Sequence, residues 1–263
     1  RFDHASIIDG ARLSFADVRK FRHNDMENLE LVLESEKDTN KLIIIDGVFS
    51  MEGDIAKLPE IVELAKKYDA ALMVDDAHGV GMLGEQGRGT SNHFGLTGEV
   101  DLIMGTFSKS LASVGGFVAG DADLIHYIQH IARALMFSAA MPPASVASVS
   151  AAVDVMLDET WRLEALWRNN DIMRERLNEA GFDTGPSATP IIPAVVGEDM
   201  AAFKMCHRMM EKGVFVNPVV SPAVEPGNAL IRLSLMATHT EEEIHKAMDI
   251  MAQVGRELDI IPG

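Results

Sequence analysis

The sequence predicts an α/β fold, with a mostly parallel sheet wrapped by helices and a smaller C-terminal α/β domain. Three short apolar runs, at 42–46, 71–75 and 100–105, have the length and composition of buried strands. The segment between the first two runs has helical spacing, and the connections are short. A strand, a helix and a second strand in close succession are typical of a βαβ unit, whose strands lie parallel in one sheet.

The first elements follow from the residue pattern. LIIID at 42–46 is apolar until its last residue, as expected for a strand that is buried on both faces. KLPEIVELAKKY predicts a helix with a proline suited to its first turn. ALMVD at 71–75 and VDLIMG at 100–105 are the next two strands, and the apolar run GFVAG follows at 116–120. The buried face of the predicted helix comprises Leu58, Ile61, Val62 and Ala65.

The second half of the chain predicts a smaller α/β unit after two helices. One helix begins near Met141, and the next covers about 164–180 and stops at Gly181. Strand patterns at 189–197, 214–220 and 229–236 flank a helix at 200–213. The last helix begins at Thr240, with Glu243 three residues on, which is a capping-box pattern. We expect the domain boundary near 160–180, which gives a large domain at 1–165 and a small domain at 166–263.

Composition excludes several classes of function. The chain has 263 residues, of which 47% are hydrophobic, so it can bury a large core. Its formal charge of −17 argues against nucleic acid as a partner, because binding to phosphate backbones needs clustered Lys and Arg. No apolar run is long enough to predict a membrane-spanning helix. The single cysteine, Cys206, excludes an internal disulfide and favours a reducing compartment such as the cytoplasm.

The N-terminus, RFDHASIIDG, has neither an initial Met nor the pattern of a signal peptide. It has the character of sequence from the middle of a protein. We therefore expect an N-terminal portion of the large domain to be absent from this chain.

One lysine stands in an unusual setting. The stretch GTFSKSLASVGGFVAG at 105–120 surrounds Lys109 with small and hydroxylated residues. Other polar residues also follow predicted strand ends, namely Ser50, Asp75 and His78. In open α/β sheets, ligands bind outside the carboxyl ends of the strands. If these strands are parallel neighbours, the four side chains converge on one edge of the sheet.

Three chemistries account poorly for this group of residues. Lys109 and Ser110 resemble the end of a phosphate-binding P-loop, but Phe107 and Ser108 stand where a glycine is needed. A metal site on Asp75, Asp76 and His78 would lack further ligands at suitable spacing. The G-x-S-x-G motif of hydrolases is absent.

A lysine Schiff base to pyridoxal phosphate accounts for more of these residues at once. That cofactor needs an amine to hold its aldehyde and a carboxylate to keep its ring nitrogen protonated. Lys109 and Asp75 supply this pair. Thr106 and Ser108 supply hydroxyl groups near the lysine for the phosphate. A metal site and a phosphate loop remain the weaker alternatives at this point.

Motifs along the whole chain resemble those of the α-oxoamine synthases. They are DHASIIDG at 3–10, DGVFSMEGD at 46–54, VDDAHGVGMLGEQGRGT at 74–90, GTFSKS at 105–110 and FSAAMPP at 137–143. The resemblance implies the aspartate-aminotransferase-like fold of fold-type-I pyridoxal-phosphate enzymes. It also implies the condensation of an amino acid with an acyl-CoA and the loss of CO2. The best-matching members use L-serine and a long acyl-CoA, and the alternatives use alanine or glycine with a different acyl thioester.

The resemblance implies a role for each residue that matches a family motif. Lys109 would form the Schiff base and move the α-proton. Asp75 would pair with the pyridinium nitrogen, and His78 would hydrogen-bond the phenolic oxygen of the cofactor. His4 of DHAS would stack on the ring face and contact the substrate.

The remaining motif positions would bind the other parts of the cofactor and the substrate. Ser50 would orient the cofactor near its ring and aldehyde. Thr106 and Ser108 would hold the phosphate. Arg232 of LIRLS would bind the substrate carboxylate, for which a guanidinium fork is the natural partner.

The resemblance also implies a homodimer, because the active site of the family lies at a subunit interface. Ser138 and Ala139 of FSAAMPP would reach the phosphate site of a neighbouring subunit. Many relatives have Thr in place of Ala139, so one hydroxyl contact is missing here. A glycine-rich segment that precedes DHAS in the family, and a substrate-binding asparagine, are also absent from this chain. A catalytically silent protein that keeps the fold for binding or scaffolding is the hypothesis from a different class.

Overall fold

The structure is a computed structural model that describes residues 3–262. The chain divides into two compact units. The first comprises Arg1–Phe49 and Ile55–Glu159, and the second comprises Ser50–Asp54 and Thr160–Gly263. The assignment of 1–165 to a cofactor-binding domain and of 166–263 to a small domain stays a prediction.

The first unit alternates strands and helices, as the sequence predicts. Its strands are β1 (Lys41–Asp46), β2 (Ala70–Asp75), β3 (Leu102–Thr106) and β4 (Gly116–Gly120). Its helices are α1 (Ala5–Leu13), α2 (Met26–Ser35), α3 (Leu58–Lys67), α4 (Thr90–His93), α5 (Ala122–Ile131), α6 (Arg133–Met136) and α7 (Pro143–Asp158), and a 3₁₀ turn covers Glu85–Gly87.

The strands of the first unit form one sheet in the order β1-β2-β3-β4. β1, β2 and β3 run parallel, and β4 returns antiparallel to β3. The predicted βαβ connection is α3, which joins the neighbouring strands β1 and β2. The prediction of a mostly parallel sheet wrapped by helices is confirmed.

The core of this unit lies on one face of the sheet. Alternate strand residues Ile43, Ile45 and Val74 are at most 5% exposed and pack with side chains from α2 and α3. The predicted face of α3 is buried in full. The prediction that β1 is buried on both faces is wrong, because Leu42 is 51% exposed. The period of two in a strand directs Leu42 away from the face on which the buried cluster packs.

The second unit has a sheet of its own. Its elements are α8 (Trp161–Ala180), β5 (Ile191–Gly197), α9 (Asp199–Glu211), β6 (Asn217–Val219), β7 (Ala229–Ser234) and α10 (Glu241–Glu257). The strand order is β5-β7-β6, and both pairings are antiparallel. The predicted strand at 214–220 is reduced to the three residues of β6, and α8 begins three residues before the predicted start.

The ends of these helices follow the predicted signals. Gly181 ends α8 in the left-handed conformation, with φ of 90°. Thr240 and Glu243 form the predicted capping box at the start of α10. The core beneath these helices is rich in methionine and includes Met205, Met209 and Met251, each 0% exposed. The flexible thioether side chain suits such irregular packing.

Candidate active site

The carboxyl ends of β1, β2 and β3 lie at one edge of the first sheet. Asp46 is opposite Asp75 in the parallel register, and Asp75 is opposite Met104. Lys109 follows the end of β3 by three residues. The condition that we set for Ser50, Asp75, His78 and Lys109 to converge, that the strands they follow be parallel neighbours, is therefore met. Their chemical roles stay predictions.

Asp75 is held in a fixed position at the end of β2. It is 7% exposed, and its Oδ1 accepts a hydrogen bond of 3.0 Å from the backbone N–H of Ala77. This contact orients the carboxylate within the first turn of the loop that carries His78. His78 itself is half-buried in that loop.

The loop after β2 is fastened by Asp76 rather than by Asp75. The buried carboxylate of Asp76 accepts hydrogen bonds from the backbone N–H (2.8 Å) and the hydroxyl (2.6 Å) of Thr90. A Cβ atom at Gly79 or Gly89 would lie within 2.0 Å of an Asp76 oxygen, so glycine is required at both positions. Asp76 therefore closes the loop that presents His78. Burial raises the pKa of Asp76, and the two hydrogen bonds from Thr90 oppose that rise.

Lys109 lies in a tight loop between β3 and β4. Two backbone hydrogen bonds of Phe107 close this loop. Its N–H donates to the carbonyl of Gly115 (3.0 Å), and its carbonyl accepts from the N–H of Ser113 (2.8 Å). The hydroxyl of Ser110 donates to the carbonyl of Val80 (2.9 Å), which links this loop to the loop after β2. Lys109 is exposed at the surface of this arrangement.

The two hydroxyl groups that were predicted to hold a phosphate lie side by side. The Oγ1 atom of Thr106 and the Oγ atom of Ser108 are 2.9 Å apart. Thr106 ends β3, and Ser108 immediately precedes Lys109 in the chain. The two hydroxyl groups are therefore placed to donate hydrogen bonds to one anion beside the lysine.

His4 is the N-cap of α1, and its ring is exposed. Its Nδ1 atom accepts a 3.3 Å hydrogen bond from the backbone N–H of Ser6. Its backbone N–H donates to Oδ1 of Asp46 over 3.4 Å, at the end of β1. The structure therefore brings His4 to the same sheet edge as Asp75.

Two of the predicted residues follow α6, in an exposed segment. The hydroxyl of Ser138 donates to the carbonyl of Ala134 within its own helix turn, and Ala139 is exposed. Their predicted contact with a neighbouring subunit stays a prediction.

The other two predicted residues belong to the second unit and contact each other there. Nε of Arg232 donates to the backbone carbonyl of Ser50 over 2.7 Å, and Nη1 donates to the hydroxyl of Ser234 over 3.0 Å. Burial lowers the pKa of Arg232 from its usual value. Two hydrogen bonds thus fix the plane of a half-buried guanidinium, which suits it to one bound carboxylate.

The sequence analysis missed Asp46. It is 4% exposed and adjoins Asp75 across the parallel register. Burial raises its pKa to about 7, and the negative charges of Asp75 and Asp3 add to that rise. The hydrogen bond from the backbone of His4 and the charge of Lys109 oppose it. The signal was present in LIIID, since Asp46 ends its strand just as Asp75 ends ALMVD.

Within residues 3–262, no group of three or more His, Cys, Asp or Glu side chains is arranged to hold a metal ion. No helix in this described part of the chain is long and apolar enough to cross a membrane.

A lysine and a buried carboxylate at the carboxyl edge of a mostly parallel sheet are the arrangement expected of an aminotransferase-like class of protein. The family model described as aminotransferase class I and II matches residues 1–251. The chain belongs to this family.

Its similar relatives are α-oxoamine synthases. The serine palmitoyltransferase of Sphingobacterium spiritivorum is 55% identical over 259 residues, which are 98% of this chain and 65% of that protein. The 8-amino-7-oxononanoate synthase of Alkaliphilus metalliredigens is 48% identical over 263 residues, which are 99% of this chain and 67% of that protein. The chain spans about two thirds of the length of these relatives. The predicted membership of the α-oxoamine synthases is confirmed.

A solved structure supports the same placement. A variant of serine palmitoyltransferase from S. paucimobilis, with bound PLP–myriocin aldimine, superposes with a TM-score of 0.95 at 34% identity. The match covers 98% of this chain and 66% of that chain. The predicted fold type I is confirmed. The predicted cofactor, pyridoxal phosphate, is confirmed at the level of the family. The predicted acyltransferase class is that of the relatives, and for this chain it is a proposal.

Proposed function

We propose that this protein is a pyridoxal-phosphate-dependent α-oxoamine synthase that condenses L-serine with a long-chain acyl-CoA. The products are CoA, CO2 and a 3-keto long-chain base, the first product of sphingolipid synthesis. The observation that carries the proposal is the placement of Asp75 and Lys109 at the carboxyl ends of the adjacent parallel strands β2 and β3. An amine and a buried carboxylate at one sheet edge are the pair that this cofactor requires.

The residues of this edge suit the cofactor in chemical type. Lys109 would hold the aldehyde, Asp75 would face the ring nitrogen, and His78 would hydrogen-bond the phenolic oxygen. The adjacent hydroxyl groups of Thr106 and Ser108 would hold the phosphate. When bound, the cofactor supplies an electron sink that stabilises negative charge on the α-carbon of an amino acid.

Proton transfer is the task of Lys109 in this proposal. Its ammonium side chain stands on a loop whose backbone is fixed at Phe107 and Ser113. Once its amine is free, Lys109 would take the α-proton of the bound amino acid as a general base and return a proton later. Asp75 would lie beside the ring nitrogen, where a carboxylate is the group that this cofactor requires. His4 would cover the opposite ring face and limit access to one side.

Arg232 would bind the substrate carboxylate. The bond from its Nε to the carbonyl of Ser50 fixes the orientation of the guanidinium before substrate arrives. A preorganised fork loses less conformational entropy on binding than a free side chain does. Loss of that carboxylate as CO2 makes the condensation effectively irreversible.

Serine and a long acyl chain are supported by the relatives. The similarity to the S. spiritivorum serine palmitoyltransferase, at 55% identity, exceeds that to the A. metalliredigens 8-amino-7-oxononanoate synthase, at 48%. The second candidate is therefore an enzyme of the latter type or of the glycine C-acetyltransferase type. The margin between them is small, so an assay must separate the two.

We further propose a cytoplasmic homodimer. Support for the dimer comes from the exposed apolar side chains of α5, α6 and the residue after them, which include Tyr127, Ile131, Leu135 and Phe137 at 55–80% exposure. Exposed apolar side chains that recur along successive helices are candidates for an interaction site. The single cysteine is consistent with a reducing compartment.

Replacement of Lys109 tests the assignment. We expect purified protein incubated with pyridoxal phosphate to show visible absorbance from the covalently held cofactor. Lys109→Ala is expected to abolish that band with an unchanged circular dichroism spectrum, and Lys20→Ala, at another exposed lysine, is the matched control. A variant at Lys109 that keeps the band refutes the role of this lysine. A colourless wild-type protein supports the catalytically silent scaffold instead.

The substrate is tested by the release of CoA thiol. L-serine, L-alanine and glycine are each combined with palmitoyl-CoA or pimeloyl-CoA. We expect release only with L-serine and palmitoyl-CoA. Turnover with L-alanine and pimeloyl-CoA would instead establish the second candidate.

A further inference from the structure

The end of β1 carries a carboxyl group to which the proposed chemistry assigns no role. Asp46 is the last residue of β1 and is 4% exposed. It lies directly across from Asp75 in the parallel register. Neighbouring strands are about 4.8 Å apart, so the two side chains are close at the sheet edge. Burial of a second carboxyl beside the first is costly and needs a reason.

Asp46 is also the point at which the segment before α1 meets the sheet. The backbone N–H of His4 donates to Oδ1 of Asp46 over 3.4 Å, and the backbone N–H of Asp46 donates to Oδ1 of Asp3 over 3.3 Å. These two reciprocal bonds join positions that lie 42 and 43 residues apart in the chain. Because the ring of His4 is exposed, backbone contacts rather than burial locate it.

The charges around Asp46 come from three elements. Asp3 faces it from the segment before α1, Asp75 from the end of β2, and Lys109 from the loop after β3. The pKa of Asp46 is raised to about 7, first by burial and then by the two neighbouring carboxylates. Asp46 can therefore take up a proton near neutral pH.

We infer that Asp46 is a positioning residue, which fixes His4 at the sheet edge that also carries Asp75. His4 would contact the face of the cofactor ring and Asp75 its nitrogen, so Asp46 would set the position of His4 relative to Asp75. The inference rests on the proposed function. Asp46 acts through His4 and needs no contact with the cofactor itself. Its carboxyl oxygen is the acceptor that holds the backbone of His4 at the end of β1.

Two substitutions separate the hydrogen bond from the charge. Asp46→Ala removes the acceptor, whereas Asp46→Asn keeps an oxygen that can accept from His4. Asp101→Ala is the matched control, because Asp101 is a carboxylate that accepts a 2.7 Å bond from the backbone N–H of Leu72 elsewhere in the same sheet.

The first measurement is hydrogen exchange of the backbone amides at 3–6, by mass spectrometry without added cofactor. We expect Asp46→Ala to speed exchange there about tenfold, with Asp46→Asn and Asp101→Ala close to wild type. Unchanged exchange in Asp46→Ala overturns the inference, whatever the activity of the protein.

The second measurement is the dissociation constant for pyridoxal phosphate, from the visible absorbance. We expect Asp46→Ala to raise it about tenfold and Asp46→Asn to restore it to within about threefold. A lower melting temperature with unchanged cofactor affinity shows a merely structural role and overturns the inference, while the proposed function stands. A wild-type protein that binds no cofactor overturns both.

Discussion

The two halves of the sheet in the first unit differ in how well they are covered. In β1 and β2, Ile45 and Val74 are 2% and 0% exposed, and α3 buries four apolar side chains against them. In β4, Val118 is 41% exposed, and α5, which the structure describes in full, buries none of its residues. The covered half carries the buried carboxylates, and the open half carries Lys109.

The difference separates two physical tasks. The covered half lowers the local dielectric around Asp46 and Asp75, which strengthens electrostatic interactions at the sheet edge. The open half leaves the lysine accessible to a cofactor and leaves apolar helix faces that only another surface can cover.

The largest effect is expected from the carboxyl pair of the covered half. The pKa of Asp46 is about 7 in the folded protein, against an ordinary value of 3.8. The folded state then binds more protons than the unfolded state between these values, so stability falls as pH rises from about 4 to 7. Asp46→Asn removes that loss of stability. We expect its free energy of unfolding, relative to that of wild type, to rise by at most about 4 kcal/mol between pH 4 and 8.

Urea unfolding at several pH values measures this difference. Asp101→Asn is the control and should follow the wild-type curve, because it removes a carboxylate at the start of β3, away from the sheet edge that carries Asp46. If the curves of wild type and Asp46→Asn run parallel with pH, Asp46 is not a buried acid with a raised pKa.

A matched pair of valines tests whether the two halves of the sheet differ in burial. Val74→Ala removes two buried methyl groups and leaves a cavity, which should lower the free energy of unfolding by about 2–3 kcal/mol. Val118→Ala, on the exposed strand β4, should change it by less than about 0.5 kcal/mol. Both are measured by urea unfolding of dilute protein. Equal losses would show that the open half is covered in solution.

The sequence predicted the covered half better than the open one, and the reason is periodicity. The helical spacing of Leu58, Ile61, Val62 and Ala65 specifies a buried face without reference to any other part of the chain. The apolar residues of α5 form a similar pattern, but none of them is fully buried. A pattern of this kind predicts that one face of a helix is apolar, but it does not show which surface packs against that face.

In the candidate site, too, the residues placed by a regular pattern of strands were predicted, and those placed by tertiary contacts were not. Asp75 and Lys109 could be paired from the sequence because polar residues after strand ends meet at one edge when strands are parallel. Asp46 was missed because its importance depends on strand register, and on a hydrogen bond to His4 across 42 residues. The anchoring of Asp76 by Thr90 was missed for a similar reason, since it depends on how a glycine-rich loop folds back.

The smallest effect is expected at the exposed helix faces, where two leucines can be compared. Leu135, on α6 of the open half, is 55% exposed, and Leu31, on α2 of the covered half, is 68% exposed. If α5 and α6 form the dimer interface, Leu135→Ser removes apolar area from both copies of a two-fold contact. We expect the dissociation constant of the dimer to rise about tenfold, which is about 1.4 kcal/mol. Leu31→Ser should leave it unchanged, because the proposed interface excludes α2. Sedimentation equilibrium over a range of protein concentrations measures both, and equal dissociation constants for the two variants would place the interface elsewhere.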